Sequence, residues 1–419
     1  MRLACSECGV DAASGSLFCS ECRGLLEFRL DPARHDVHAL RLLFKERRAS
    51  NDSLDQSGVW RFRELLPAIA PEHVVTLREN AIPVYRAQAG AVYADATRLA
   101  YLHLGMNPTA SFKDAGMTVA ISSARSRGSR VAICASTGNT AASMAAYAAR
   151  AGMSAIVLVP ADGVSEAKMA QTLDYGATVA AIDGDFDRAL EIVRSFDSER
   201  VAIVNSINPY RIEGQKCAAF VLLESRRWNA PDWIVVPGGN LGNTSAFGKG
   251  FREARDLGLL TRIPKIAVIQ AAGAAPFANV FRDGGDLVPV KAETEATAIR
   301  IGAPASWRKA LAEVRASEGT VISVSDDEIA EARAIVGRDG VGCEPASAAS
   351  LAGLRKLRED DTIARADDVV LVLTGHVLKD SAYAAAFHAS GARLANKIVR
   401  LSDEAALRAL VDRACAVYA

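Results

Sequence analysis

The chain has 419 residues and a mass of 44.3 kDa, room for two or three cores of ordinary size. Half of its residues are hydrophobic and 23% are charged, which excludes disorder as the main state. The 49 basic residues balance 49 acidic ones, so the electrostatic case for a nucleic-acid or acidic-surface partner is gone, and no apolar run predicts a membrane span.

At the amino terminus, MRLACSEC lacks the apolar run of a signal peptide, and a cytoplasmic location is expected. Cys5, Cys8, Cys19 and Cys22 form two C-x-x-C pairs in the first 22 residues. The ten residues between Cys8 and Cys19 are fewer than such sites commonly have, but Gly9, Gly15 and Gly24 supply the turns of a hairpin. Four thiolates so placed can converge on one Zn²⁺, and with no histidine in the segment the site would be closed and structural. A zinc knuckle is therefore expected over residues 1–28, its folding free energy supplied by the metal. Reduced, unliganded thiols and two disulfides are the alternatives, the second disfavoured in an intracellular setting. Cys134, Cys217, Cys343 and Cys415 read as small buried hydrophobes.

From about Arg34 to Leu77 the pattern is helical and charged, and the run Lys45-Glu46-Arg47-Arg48 reads as a solvated helix face. Beyond Leu102, short β-branched runs alternate with Ala-rich helical segments. The runs are Arg130–Ala135, Ser154–Pro160, Thr178–Asp183, Val201–Asn205, Asp232–Pro237, Lys265–Gln270 and Val369–Thr374. The alternation predicts an α/β protein of two three-layer αβα domains with mostly parallel twisted sheets. After Gly391 one more amphipathic helix is expected, from Ser402 to about Val417. In such sheets ligands bind at the carboxyl ends of strands, where loops meet helix N-termini.

Four segments with that placement carry chemistry. In Asn107-Pro108-Thr109-Ala110-Ser111-Phe112-Lys113-Asp114, a lone lysine opens an apolar helix, and desolvation there would lower its pKa and expose a nucleophilic amine. Taken alone, an ordinary helix-start lysine is the simpler reading. Ala135-Ser136-Thr137-Gly138-Asn139-Thr140 places hydroxyl and amide donors at a helix start, as a cap or an anion site would. Pro237-Gly238-Gly239-Asn240-Leu241-Gly242-Asn243-Thr244 lets backbone N–H groups approach a phosphate. It is neither a P-loop nor G-x-G-x-x-G, so a single phosphate monoester fits better than a nucleotide. Leu373-Thr374-Gly375-His376-Val377-Leu378-Lys379-Asp380 puts a hydroxyl at the same rim. A reactive lysine, a phosphate cradle and polar strand ends are together what pyridoxal phosphate requires.

These segments resemble the threonine synthases, in the fold type II, tryptophan-synthase-β-like group of pyridoxal phosphate enzymes. NPTASFKD resembles the family's Schiff-base motif, and STGNTAAS, GGNLGN and TGHVLKD resemble its cofactor segments. Two further stretches match, Ala298–Pro304 with Ser306-Trp307 and Glu344-Pro345-Ala346-Ser347-Ala348-Ala349, and the four-cysteine knuckle occurs in a subset of the family. The resemblance runs from residue 1 to about 390. It implies that Lys113 carries the cofactor and shuttles protons, and that Asn139 donates to the cofactor's 3-oxygen. It also implies that Gly238, Gly239, Asn240, Leu241, Gly242 and Asn243 hold the phosphate, while Thr374 faces the ring nitrogen, which should stay largely unprotonated.

The substrate implied is O-phospho-L-homoserine. Its own phosphate would meet Arg211, Asn205 and Ser206 in NSINPYR, with Lys168 as a second cation, and Ser136, Thr137 and Thr140 would take its α-carboxylate or its phosphate. A homodimer is expected, with no nucleic-acid or membrane partner. The implied domains are 1–28, the zinc knuckle; 29–115 with 210–390, the large cofactor domain; 116–209, the small domain; and 391–419, an extension. Ala110 stands where the family usually has Gly, Ala115 where it has Arg, Ala303 where it often has Asn, and Val377 where it often has Gly. These departures leave open a paralogue that performs β-replacement or elimination on O-phosphoserine or another phosphorylated amino acid, as a cysteate-synthase-like enzyme would.

Overall fold

The computed structural model describes residues 1–162, 166–196, 200–396 and 398–416, the side chains at 166–168, 187 and 416 excepted. Met1–Asp380 forms one compact unit and Ser381–Ala419 a second. In the first, β1 (Arg2–Cys5) and β2 (Leu26–Arg29) make an antiparallel hairpin. The strands that follow are β3 (Val84–Arg86), β4 (Arg98–His103), β5 (Val131–Ala135), β6 (Ser154–Pro160), β7 (Thr178–Ile182) and β8 (Val201–Ile203). β9 (Trp233–Pro237), β10 (Lys265–Ala271), β11 (Thr320–Val324) and β12 (Asp368–Leu373) complete the set. They build a six-stranded sheet in the order β11-β10-β9-β12-β4-β3 and a four-stranded sheet in the order β7-β6-β5-β8. Every pairing in the two sheets is parallel except β3 with β4.

Burial explains the central strands. β9 reads WIVVP and β12 DVVLVL, nearly continuous apolar runs with no polar face, as parallel strands covered on both sides must be. Helix Pro345–Glu359 packs on β9, β10 and β12, and helix Gly242–Asp256 on β9 and β10. Asn139–Ala151 and Phe186–Ser195 both pack on β5 and β6. The expected α/β class and the seven β-branched runs are found as strands, within a residue or two of their ends. β3, β4 and β11 were not expected. β4 (RLAYLH) has no β-branched residue although five of its six positions are at least half-buried, and β3 and β11 are edge strands with half-exposed positions.

The segment 34–77 differs more. Only Val37–Arg48 is α-helical, and turns and short 3₁₀ helices follow. Gly58 permits one close approach there, because a Cβ on it would lie 2.0 Å from the Asn80 carbonyl oxygen. Arg47 leaves the solvated face expected of it: it is buried, pairs bidentately with Glu64 and donates to the Arg61 carbonyl at 2.7 Å. In the second unit the helices are Ser381–Ala389 and Glu404–Ala416, and Val417 lies outside the described residues. No helix among the described residues is long and apolar enough to cross a membrane.

The amino-terminal hairpin borrows its core. Leu3, Leu26 and Phe28 join the main apolar cluster, Phe28 meets Tyr210 edge-on at 4.8 Å, and Ser14 Oγ lies 3.0 Å from the Tyr210 hydroxyl. Beneath it Lys249 donates to the Phe28 carbonyl and joins a buried network with Glu213, Lys216 and Glu253. Within it Lys216 lies 2.7 Å from Glu253, and Lys249 3.4 Å from Glu213.

Candidate active site

Lys113 is the first residue of helix Lys113–Ser126, and the loop before it is fastened to the end of β12. Phe112 N–H donates to the Thr374 carbonyl at 2.9 Å, and His376 N–H to the Ala110 carbonyl at 3.0 Å. Asp114 ties the same helix start to the next, accepting from Thr109 N–H (2.7 Å), Thr109 Oγ1 (2.6 Å) and Ser143 Oγ (2.6 Å). Burial pushes the Asp114 carboxyl up to about 6 against those donors. Lys113 keeps part of its surface open, with Nζ 4.1 Å from the Phe112 ring centroid. Enclosure lowers its pKa to about 7, the Arg211 charge pushes the same way, and Glu344 opposes both. That is the desolvated amine the sequence suggests.

Ala110 pays locally for this loop, sitting at φ +64°, a left-handed conformation that costs a residue with a Cβ about 1–2 kcal/mol. Ala110→Gly should relieve most of it while gaining some unfolded-state entropy, for a net stabilisation of up to about 1 kcal/mol. Denaturant unfolding of both proteins checks this; a lower midpoint for the glycine variant would refute it.

Asn139 opens helix Asn139–Ala151 directly beyond β5, and its Nδ2 donates to Glu344 Oε2 at 3.1 Å. Thr374 follows β12, buried, with Oγ1 3.0 Å from Ser347 Oγ and 3.3 Å from Glu344 Oε1. The glycine-rich loop leaves β9 and enters helix Gly242–Asp256 through Leu241 at φ +63°. Gly239 lies so close to the Ala298–Ile299 backbone that a Cβ would sit 3.2 Å from it. Asn240 braces the loop, accepting from Ala305 N–H at 2.6 Å and donating to Ser206 Oγ at 2.8 Å. At the mouth of that helix the Asn243 amide and the Thr244 hydroxyl are buried without a partner. Orphaned polar groups at a helix N-terminus, beside a loop that excludes side chains, are what a phosphate would satisfy. With Lys113, Asn139 and Thr374 the residues fit pyridoxal phosphate.

The expected substrate residues divide. Ser136 is half-buried, its Oγ accepting from Gly138 N–H at 3.2 Å; Thr140 is half-buried and Thr137 exposed. Asn205 uses its amide on β5, accepting from Ala135 N–H (3.2 Å) and donating to Ala135 O (3.0 Å), which leaves one N–H. Ser206 meets Asn240, joining this segment to the phosphate loop. Arg211 is buried in helix Pro209–Ser225, with Nη1 donating to the Val204 carbonyl at 3.2 Å and Nε unpartnered. Burial lowers its pKa to about 10. The Lys168 side chain lies outside the described residues.

Sequence reasoning assigned no role to Glu344, Ser347 or Lys379. A glutamate just before a helix-opening proline was the available signal for the first. Lys379 donates to the Thr109 carbonyl at 3.4 Å and to the Gln171 side chain, linking the β12 end to helix Glu166–Asp174.

Away from this cleft, the Sγ atoms of Cys5, Cys8, Cys19 and Cys22 lie within 4.8 Å of one another. Cys5–Cys22 is 3.4 Å, Cys8–Cys19 3.5 Å and Cys8–Cys22 3.6 Å, and none is a disulfide. Tetrahedral Zn²⁺ with ~2.3 Å bonds sets sulfurs ~3.8 Å apart, so the cluster is close to the size required.

Residues 76–375 match the family described as pyridoxal-phosphate dependent enzyme. The chain is 42% identical over 385 residues to threonine synthase of Methanosarcina acetivorans, covering 90% of this chain and 92% of that one. It is 48% identical over 322 residues to threonine synthase of Synechocystis, covering 76% and 82%. Among solved structures, threonine synthase from Escherichia coli superposes with a TM-score of 0.67 at 20% identity, covering 99% of this chain and 100% of that one. Threonine deaminase isoform 2 from Solanum lycopersicum superposes with 0.60 at 17%, covering 90% and 94%. At such identities the superpositions speak for the fold.

Proposed function

The chain belongs to the threonine synthase family of pyridoxal-phosphate dependent enzymes, and we propose that it converts O-phospho-L-homoserine and water to L-threonine and phosphate by γ-elimination and β-addition. What supports the substrate is a buried guanidinium close enough to act on Lys113, in addition to the orphaned polar groups beside the glycine loop. The loop 238–243 with its orphaned Asn243 and Thr244 suits the cofactor phosphate, and buried Arg211, which no carboxylate pairs with among the described residues, suits another. An O-phosphoserine lyase is the competing reading. Phosphate release from phosphohomoserine with none from phosphoserine supports the proposal; the reverse pattern refutes it.

When bound, pyridoxal phosphate supplies the electron sink that makes protons on the substrate's α- and β-carbons removable. The protein's own groups do the rest. Lys113 Nζ holds the cofactor covalently and then moves protons at those carbons, a task suited to an amine with a pKa of about 7. Backbone N–H groups of Gly238 to Asn243 would hold the cofactor phosphate, Asn139 Nδ2 would donate to the 3-oxygen, and Thr374 Oγ1 would meet the ring nitrogen. Arg211 with Ser206 and the free N–H of Asn205 binds the substrate phosphate, Lys168 adding charge. Ser136, Thr137 and Thr140 orient the amino-acid end. The ends of the six-stranded sheet thus supply Lys113, the phosphate loop and Thr374, while the four-stranded sheet supplies Asn139 and the substrate groups.

The four cysteines are proposed to hold one structural Zn²⁺ per chain. Elemental analysis in reducing buffer should find one equivalent, and chelation should loosen the first ~25 residues, read by proteolysis, without abolishing catalysis, since a Cys₄ site has no open position. Absence of zinc, or a disulfide among these cysteines, would count against it. The proposed setting is the cytoplasm and the proposed assembly a homodimer, which sedimentation reads directly.

A further inference from the structure

We propose that Glu344 and Ser347, at the start of helix Pro345–Glu359, are positioning residues that fix which way Asn139 and Thr374 point their protons. The inference rests on the reading of Asn139 and Thr374 as contacts of the cofactor ring.

Counting protons leads to it. Ser347 Oγ accepts from the backbone N–H groups of Thr374 at 2.8 Å and Gly375 at 3.0 Å. Both lone pairs are then occupied, so the hydroxyl must donate. Its nearer acceptor is Thr374 Oγ1 at 3.0 Å, against the Gly375 carbonyl at 3.3 Å. Thr374, accepting there, has its own proton to give. Glu344 Oε1 takes it over a long 3.3 Å, which leaves it available to a better acceptor. A hydroxyl obliged to donate suits an unprotonated ring nitrogen and disfavours a protonated one.

Glu344 does the same for the amide. Its Oε2 accepts one proton of Asn139 Nδ2 at 3.1 Å. That sets the amide with nitrogen toward Glu344, leaving the second N–H for the cofactor's 3-oxygen. The carboxylate is buried against the bare Cα of Gly375, where a Cβ would come within 2.4 Å of Glu344 Cδ. Burial raises its pKa, and the Asn139 amide, Lys379 and Lys113 pull the other way without cancelling it; in either protonation state Oε2 accepts from Asn139. So one helix start makes both flanking groups donors.

The test uses the holoenzyme of wild type, Glu344→Gln, Ser347→Ala, Asn139→Ala and the Glu344→Gln/Asn139→Ala double variant. Cofactor affinity comes from equilibrium dialysis, and the visible absorbance of the bound cofactor is recorded beside it. Glu344→Gln keeps the side chain's shape and should weaken cofactor binding by about tenfold with a shifted absorbance band. In the Asn139→Ala background the same change should cost at least about threefold less, because part of its effect runs through Asn139. Ser347→Ala should shift the band too. Affinity within twofold of wild type and an unchanged band for Glu344→Gln would overturn the proposal, as would strict additivity in the double variant. If Asn139→Ala alone leaves affinity unchanged, the reading of Asn139 as a cofactor contact fails first and takes this inference with it.

Discussion

Lys113→Ala should give a folded chain that binds pyridoxal phosphate reversibly, leaves none attached after borohydride reduction, and loses on the order of 10³-fold or more in kcat. The phosphate loop is on a different strand, so the cofactor's phosphate keeps its seat and the fold its packing. A second arm reads the lysine itself. With a pKa lowered to about 7, by burial first and the Arg211 charge second, Nζ is protonated and unreactive below that pH and free above it. Labelling of Lys113 in cofactor-stripped protein should therefore be half-maximal near pH 7, well below an ordinary lysine, and move upward in Arg211→Ala. Cofactor trapped on a peptide lacking position 113, or a labelling midpoint near 10, would overturn the assignment.

The second large effect belongs to Arg211. Arg211→Ala should lower kcat/KM for phosphohomoserine by on the order of 100-fold or more, since a charge-assisted hydrogen bond is worth about 1.5–3 kcal/mol and a guanidinium offers two in parallel. Among the described residues no carboxylate pairs with it, and Nε has no partner, which is the ground for the proposal that it takes the substrate phosphate. Arg211→Lys should recover only part of the loss, because it restores charge without the planar fork. The cofactor's visible absorbance should be retained in both variants. Steady-state phosphate release, with that absorbance as control, decides. A near-wild-type kcat/KM for Arg211→Ala would sink the phosphohomoserine site and move the substrate toward phosphoserine.

The parts of the site legible in the sequence are those encoded locally. A strand, a small-residue loop and a helix start are adjacent in the chain, so Lys113, Asn139, the 238–243 loop and Thr374 could be picked out as candidates along it, their roles coming from the family resemblance. What escaped depends on distant pairs. The Glu344–Asn139 contact joins residues 205 positions apart, and no local pattern marks it. Asn205 looked like a free donor because nothing in NSINPYR shows that Ala135 claims its amide. Arg47 looked solvated because its partner, Glu64, lies beyond a stretch that is coiled rather than helical. β4 was lost for a different reason: its strand character comes from burial between β12 and β3, and its residues have little intrinsic preference for strand.

The contact between Lys249 and the Phe28 carbonyl bears on how this architecture can change over generations. The hairpin roofs a lysine that sits in the helix following the phosphate loop and shares Glu253 with Lys216. Glu27, on the same strand as Phe28, is held ionised by Lys309 and Lys249. A lineage that shed the first 28 residues would bare the apolar face of Tyr210 and take the Phe28 carbonyl from Lys249 and the Glu27 carboxylate from Lys309, while Lys249 kept Glu213 and Glu253. With the hairpin gone both ammonium groups would meet water, so the cost would fall mainly on the apolar surface left uncovered. Loss of the hairpin therefore calls for compensating polar changes around Tyr210 and the apolar surface that Leu3, Leu26 and Phe28 cover.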